Sequence, residues 1–532
     1  MKRSYRILRT TAITLLSVVL VLVVAGMILS RYVQKRAEVE LKAANAKVSS
    51  ISISLFTRSL TVEDFEWTYL DDSLSRTPHH LILREIKFSG INLYQLLRHK
   101  KIEIHKITLE GGDLQFNKNL EIKRENEPKK KIDLKGISID LLVLKDINAK
   151  FYNDSIAEYA GTINLSLGNV QLEDVDKAQD PYAYKLKFFD VLVTKIRINE
   201  KEGMYRTTVS QLYANSDEHN IVIDSISIVP RYSKYRFSRK VGRQIDRFTA
   251  SIPKISITGL TYDQVKDTLF TASGFEIVSA RLHVFRDKRL PFIKKKNTPL
   301  PMAMIRTFPF GMAIDSLKII DANITYEEFP EKGFRTGQLR FEGLNATLDH
   351  ISNRDYYSNY KQATLITSAR IMGKGRIKAE FSLPYGEQQI YNAKGTISNL
   401  ALHRLNPILE SLAFISIESG TLNQLNFNFD YNDLKSRGSI LVNYENLKIA
   451  GLTKEKESTT NEFKSWILNT VLKKDKDKSV SREKRTGTID FDRDRKRAIF
   501  NLWVKSLFSG LKSSVLDSPS KKEKEKEKEK EK

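Results

Sequence analysis

Few side chains in this sequence are spaced to do chemistry. Glu327 and Glu328 supply adjacent carboxylates, the residue type of general acid and base catalysis. Neighbours on a strand point to opposite faces, however, so the pair cannot close on one substrate. The eight histidines are scattered, and His79 and His80 follow Pro78, where a surface turn accounts for them better than a metal site. Asp490, Asp492 and Asp494 would share one face of a strand, but the glycine and distal glutamate of a calcium loop are missing. Arg493 and Arg495 stand close enough to neutralise them. With no cysteine, thiol nucleophiles, disulfides and zinc-thiolate sites are all removed. Phosphate-binding loops, nucleophile elbows and the H-E-x-x-H pattern are also absent. The inventory weighs against a hydrolase and implies no cofactor.

The elements that would carry any site show a recurrent spacing. "KIEIHKITLEGGDLQF" places Ile102, Ile104, Ile107, Leu109, Leu114 and Phe116 at offsets 0, 2, 5, 7, 12 and 14. The same offsets hold Ile137, Ile139, Leu142, Leu144, Ala149 and Phe151, and again Met312, Ile314, Leu317, Ile319, Ile324 and Tyr326. A weaker copy from Ile221 keeps Ile223, Ile226, Ile228 and Tyr235 and is broken by Ser233. A straight strand keeps one phase, so each unit reads as a strand bent at the step of three, a tight polar turn, and a second antiparallel strand. For the first copy this puts an irregularity at His105 or Lys106 and a turn at Gly111 and Gly112.

Strand patterns fill the chain from about residue 48 to 451 and outnumber helical ones. "NLYQLLRHK" and "LHRLNPILESLAF" have helical spacing and read as caps or edge covers. Thr10 to Ser30 is an uncharged run long enough to cross a bilayer core of about 30 Å. An uncleaved anchor suits its length better than a signal peptide, whose apolar region spans about 7 to 15 residues. The formal net charge of +24 is spread along the chain. That balance suits anionic surfaces, and an anchored chain facing away from the cytoplasm excludes nucleic acid. The expected order is a cytoplasmic N-terminus (1–9), a transmembrane helix (10–30), a juxtamembrane helix (31–47), two β regions (48–290 and 291–451), and a charged insert with a short helix (452–485). A final strand and amphipathic helix (486–515) and a Lys/Glu tail (516–532) complete it. In that last helix Ile499, Leu502, Trp503, Leu507 and Leu511 form one stripe among basic residues, the pattern of a membrane-interface segment or of a cap over the last strand.

Two stretches, "LREIKFSGINLYQLLRHKKIEIHKITLEGGDLQF" from Leu83 and "GTISNLALHRLNPILESLAFISIESGTLNQLNFNFDYNDLKSRGSILVNYENLKIAGL" from Gly395, resemble the AsmA-like family of envelope proteins, relatives of the chorein-type bridge-like lipid-transfer proteins. The ending "DRDRKRAIFNLWVKSLFSGL" adds to the likeness. The resemblance implies an elongated, curved antiparallel β-groove of repeated strand units with a few capping helices and one N-terminal transmembrane helix. It also implies an inner-membrane anchor, a periplasmic body, and phospholipids moving along an apolar wall, with no catalytic residues. The wall residues implied are the offset positions above, Ile102 to Phe116, Ile137 to Phe151 and Ile314, Leu317, Ile319 and Ile324, joined by Leu425, Phe427 and Phe429. About 20 to 25 strands at 4.8 Å each would reach roughly 100 to 120 Å. That is short for a bridge, so an outer-membrane or periplasmic protein partner is expected. The alternative from another class is a scaffold or regulator of outer-membrane protein assembly that conducts no lipid.

Overall fold

A computed structural model describes residues 46–54, 57–69, 77–118, 135–172, 184–200, 203–263, 269–292, 297–331, 333, 335–357, 360–385, 390–412, 415–451 and 483–516, together with Lys35. The expected membrane helix at 10–30, nearly all of the juxtamembrane segment and of the charged insert, and the Lys/Glu tail lie outside these residues. Among the described residues no helix is long and apolar enough to cross a membrane. The structure is mainly β and divides into two compact units after Ile221.

In unit 1, β1 (Ala46–Lys47) and β2 (Ser50–Ser54) both lie antiparallel along β3 (Ser59–Tyr69). Ala46 and Lys47 are thus strand residues, not the end of a helix. β4 (His79–Ile91) and β5 (Lys101–Asn117) follow antiparallel, linked by helix α1 (Leu93–His99). β6 (Gly136–Asn153) then runs parallel to β5. β7 (Ile156–Leu172), with the short β8 (Tyr184–Lys185) at one end, and β9 (Phe188–Asn199) and β10 (Tyr205–Asn215) continue antiparallel.

Unit 2 repeats the device. After β11 (Asn220–Pro230) at the unit boundary comes helix α2 (Lys234–Val241), with Ser233 at its N-cap, and this helix ends the weak fourth copy of the spacing. β12 (Asp246–Thr258) pairs antiparallel with both β14 (Leu269–Val278) and β15 (Arg281–Asp287), and β13 (Thr261–Asp263) forms a hairpin with β14. β14 and β15 in turn both run parallel to β16 (Gly311–Phe329). The remaining strands are antiparallel in chain order: β17 (Gly337–Ser352), β18 (Gln362–Ile371), β19 (Gly375–Pro384), β20 (Tyr391–Ala401), β21 (Ile415–Tyr431), β22 (Lys435–Gly451) and β23 (Glu483–Asp492). Helix α3 (Pro301–Arg306) precedes β16, α4 (Asn406–Leu412) precedes β21, and α5 (Ile499–Leu516) ends the fold.

The sheets are therefore mixed, and the expectation of purely antiparallel pairing is corrected at two seams. A parallel neighbour needs a crossover of a dozen or more residues, and the sequence supplies residues 118–135 before β6 and 288–310 before β16. The proline-punctuated basic stretch is thus largely a crossover within unit 2.

The phase slips have a physical cause that recurs in all three strong copies. The segment from Lys101 to Asn117 is one strand, with no turn at Gly111 and Gly112. Instead Gly111 takes a left-handed φ of 59° inside the strand, as do the corresponding Asp146 (52°) and Asp321 (53°). The ladder register shifts between Leu144 and Ile147 and between Ile319 and Ala322, so Asp146 and Asp321 are each the extra residue of a bulge that returns the next apolar side chain to the same face, whereas the β4–β5 register runs unshifted past Gly111. At the earlier slip the left-handed residue lies on the antiparallel neighbour: Gly90 opposite His105, Asn169 opposite Asp140 and His350 opposite Asp315, with φ of 69°, 53° and 59°. A side chain on Gly112 would lie 1.9 Å from the Ile82 carbonyl oxygen, which explains the second glycine.

The bulges are pinned in the same way in both units. The Asn164 side-chain oxygen accepts the Asp146 N–H at 3.0 Å, and Asn345 accepts the Asp321 N–H at 3.1 Å. We expect Asn164→Ala and Asn345→Ala to cost about 0.5–1 kcal/mol each, because these exposed bonds are replaced in part by water. Chemical denaturation of each variant checks the equivalence of the two sites.

Candidate functional site

Direct cross-strand partners point to one face, so the registers show which side chains share a surface. In unit 1 one row runs Val62, Ile86, Leu109, Leu144, Leu165, Val191 and Ala214 from β3 to β10. A second runs Leu60, Phe88, Ile107, Leu142, Leu167 and Phe189, and a third runs Ile91, Ile104, Ile139 and Val170. Ile102 pairs with Ile137 at one end, and Leu114 with Ala149 and Phe116 with Phe151 at the other. The left-handed residues Gly111 and Asp146 thus let the offset positions of β5 and β6 share one apolar face. The opposite face carries cross-strand polar contacts such as the Arg84–Glu110 ion pair and the His105–Asp140 hydrogen bond.

This face is not closed like a core. Ile102, Ile104, Leu109, Leu114, Ile137, Ile139, Leu142 and Leu144 are half-buried and Phe116 and Phe151 are exposed, while Val62, Ile107, Ala149 and Ala214 are buried. An aromatic ladder edges it at the β3–β6 strand ends: Trp67, Tyr69, His79, Phe116 and Phe151 follow one another at ring separations of 6.4, 6.1, 4.6 and 6.3 Å. His79 is therefore not in a surface turn. It is 2% exposed, and its Nδ1 accepts the Asn117 N–H at 3.2 Å.

Unit 2 builds the equivalent row from Phe275, Leu317, Leu348, Leu365, Phe381, Ala393, Phe429, Gly438 and Ile489. Ile314, Leu317, Ile319 and Ile324 remain half-buried. Leu425, Phe427 and Phe429 do not lie on an open wall: they are 3%, 7% and 2% exposed, packed in a core that takes in Leu300 and Met302 near α3 and Leu502 of α5. The stripe of α5 is turned inward. Ile499, Trp503, Leu507 and Leu511 pack on this core, and the Trp503 ring lies 4.2 Å from that of Phe381. In this structure the stripe is a cap over the sheet, not a free membrane-interface segment. Backbones touch beneath it, since a Cβ on Gly487 would stand 2.0 Å from the Gly510 carbonyl oxygen.

No family model matches the chain, and no curated protein matches it.

Polar clusters elsewhere are internally neutralised. Glu327 and Glu328 do point apart: Glu327 meets Lys234 at 2.5 Å and His283 at 2.9 Å, whereas Glu328 accepts from the Tyr326 hydroxyl at 2.5 Å and pairs with Lys288 at 2.7 Å. Asp490 is paired with Arg437, while Arg493 and Arg495, expected to neutralise the aspartates, both engage Asp433. Among the described residues no group of three or more His, Asp or Glu side chains is arranged to hold a metal ion.

These pairs carry a pH dependence. The Arg289 guanidinium holds the Asp287 carboxyl below the usual carboxylate range. Burial alone would raise Glu327, but the Lys234 ammonium prevails and holds it low. Both groups give up their protons more readily folded than unfolded, so their stabilisation is complete at neutral pH and fades as pH falls through about 4. Asp287→Asn with Glu327→Gln should lower the melting temperature at pH 7 and flatten the loss of stability between about pH 5 and 3.

Three further sets of residues on these apolar faces lie beyond the positions of the three strong copies. Gly112, Ile147 and Ala322, at offset 10, directly follow the left-handed residue and sit on the same face; Ile147 and Ala322 are 2% and 4% exposed. The antiparallel strands carry the slips in reverse, as in Leu81, Leu83, Ile86, Phe88 and Ile91. β14 and β15 also form a full copy through Phe270, Ala272, Phe275, Ile277, Leu282 and Val284. Counting offsets in both chain directions and admitting small residues would have found them.

Proposed function

We propose that the protein binds glycerophospholipid along the apolar face of unit 1 and transfers it between the inner and outer membranes, as an inner-membrane-anchored periplasmic member of the AsmA-like group. The observation that carries this reading is the set of apolar rows crossing β3 to β10, left half-exposed where unit 2 caps the matching surface with α5. A soluble domain rarely leaves so long an apolar surface without an occupant. Acyl chains suit a surface with few polar groups, and the aromatic ladder gives it an amphipathic margin at which headgroups can meet water. The uncharged run at 10–30 supports the anchor, and the spread of positive charge favours anionic lipid surfaces.

Native mass spectrometry of the detergent-extracted full chain tests the reading. Co-purified phospholipid, displaced by substitutions at Leu109 and Phe116, is the expected result. A clean apo mass would favour the assembly scaffold.

A further inference from the structure

We propose that α1 is a docking element for the surface of a membrane rich in anionic phospholipid, placed at the strand ends opposite the aromatic ladder. The proposal rests on the lipid-carrier reading in one respect: it supplies the surface from which unit 1 would collect its ligand.

α1 is built to exist without a core. None of its residues is buried, and Leu93, Tyr94 and Leu97 are 44%, 66% and 82% exposed. The helix is held by polar caps. Asn92 accepts the Gln95 N–H at 3.2 Å and donates to Glu103 at 2.9 Å, while left-handed Lys100 returns its N–H to the Gln95 carbonyl. Single exposed leucines need no explanation, but four large apolar side chains on seven residues, fixed outward by their caps, do.

Charge says what covers them. From Gly90 to Ile102 the sequence has no acidic residue, and Arg98, His99, Lys100 and Lys101 follow the apolar stripe directly. Two further cations lie on the same rim: the Arg58 carbonyl accepts the Ile91 N–H, and the Lys135 N–H bonds the Lys100 carbonyl. An apolar tip with a basic collar matches the acyl boundary and phosphate layer of an anionic leaflet, each basic group adding about 1 kcal/mol near such a surface. The arrangement recurs in unit 2. α3 precedes β16 as α1 precedes β5, and Met304, Phe308 and Phe310 are 51%, 46% and 37% exposed around Arg306, although the two segments share no sequence.

The absence of cysteine makes the test direct. Leu97→Cys in the full chain, reconstituted in phosphatidylcholine nanodiscs, takes a single environment-sensitive dye; Ile366→Cys, 55% exposed, is the control site. Vesicles of phosphatidylglycerol and phosphatidylcholine should raise emission at position 97 about threefold, with reversal by salt and loss on combining Arg98→Glu, Lys100→Glu and Lys101→Glu. No change, an equal response at position 366, or an equal response to pure phosphatidylcholine vesicles overturns the proposal. A response to unlabelled protein alone, without vesicles, would assign the tip to a second copy and also overturn it. Lipid photocrosslinking at Phe116 on the same samples separates the two readings, since an occupied wall with an inert tip removes only the docking role, and a responsive tip over an empty wall removes only the carrier.

Discussion

Gly487→Val is expected to pull α5 away from unit 2. The site tolerates no side chain, because the first added carbon would overlap the Gly510 carbonyl oxygen at 2.0 Å and approach the Ser514 backbone nitrogen at 2.8 Å. Neither atom can rotate aside, so the helix must shift as a body. Such overpacking costs about 1–3 kcal/mol, and here it also uncovers Leu502, which is 2% exposed, and Trp503. A total near 4 kcal/mol is expected. Thermal melting should show the loss, with acrylamide quenching of Trp503 in a Trp67→Phe, Trp466→Phe background reporting the separation from Phe381. Gly487→Val with unchanged melting and a shielded Trp503 would mean that the close approach of strand and helix is not what holds the cap.

The second large effect separates the two apolar surfaces. Phe429→Glu places a charge where 2% of the residue reaches solvent, among Phe381, Ile440 and Trp503, and should cost unit 2 about 4 kcal/mol or more. Leu109→Glu puts the same charge on a half-exposed row of unit 1, where the carboxylate can stay hydrated, and should cost about 1 kcal/mol. The functional effects are expected to be reversed. Leu109→Glu should abolish phospholipid crosslinking at Phe116 while the fold persists, because acyl chains cannot cross a desolvated ion. Lys150→Glu, exposed on the opposite face, is the control. If Leu109→Glu unfolds the chain as readily as Phe429→Glu, the face of unit 1 is a packed core and the carrier reading falls.

The strand content and both phase slips were legible because apolar spacing is local: Ile102 to Phe116 encode their own face. The bend expected at His105 proved to be a left-handed residue on the facing strand, Gly90. The glycine pair was misread as a turn because a left-handed glycine looks alike in a hairpin and in a bulge; the Asp146 and Asp321 counterparts, each followed by a small or β-branched residue and then Asn, distinguish the cases. Parallel pairing was not legible, since it depends on where residues 118–135 and 288–310 return the chain. Leu425, Phe427 and Phe429 look like wall residues in their own strand, and only the packing of a helix about 70 residues further on makes them core. The half-exposed face of unit 1 could be drawn from sequence, but its openness could not, because exposure is a property of what fails to cover it.

The two parallel seams have a consequence for how the chain reaches its structure. Antiparallel neighbours joined by short turns zip locally within microseconds, whereas a strand that must wait for a crossover bears its loop-closure entropy before any pairing compensates it. β5 and β15 mark those waits. During synthesis at about 5–20 residues per second, β5 emerges a second or more before β6 is complete, leaving its far edge unpaired and its apolar side chains bare. Each unit is therefore expected to assemble as two hairpin blocks that join late, with the seam as the slow kinetic step and as the point where a nascent chain most needs a chaperone.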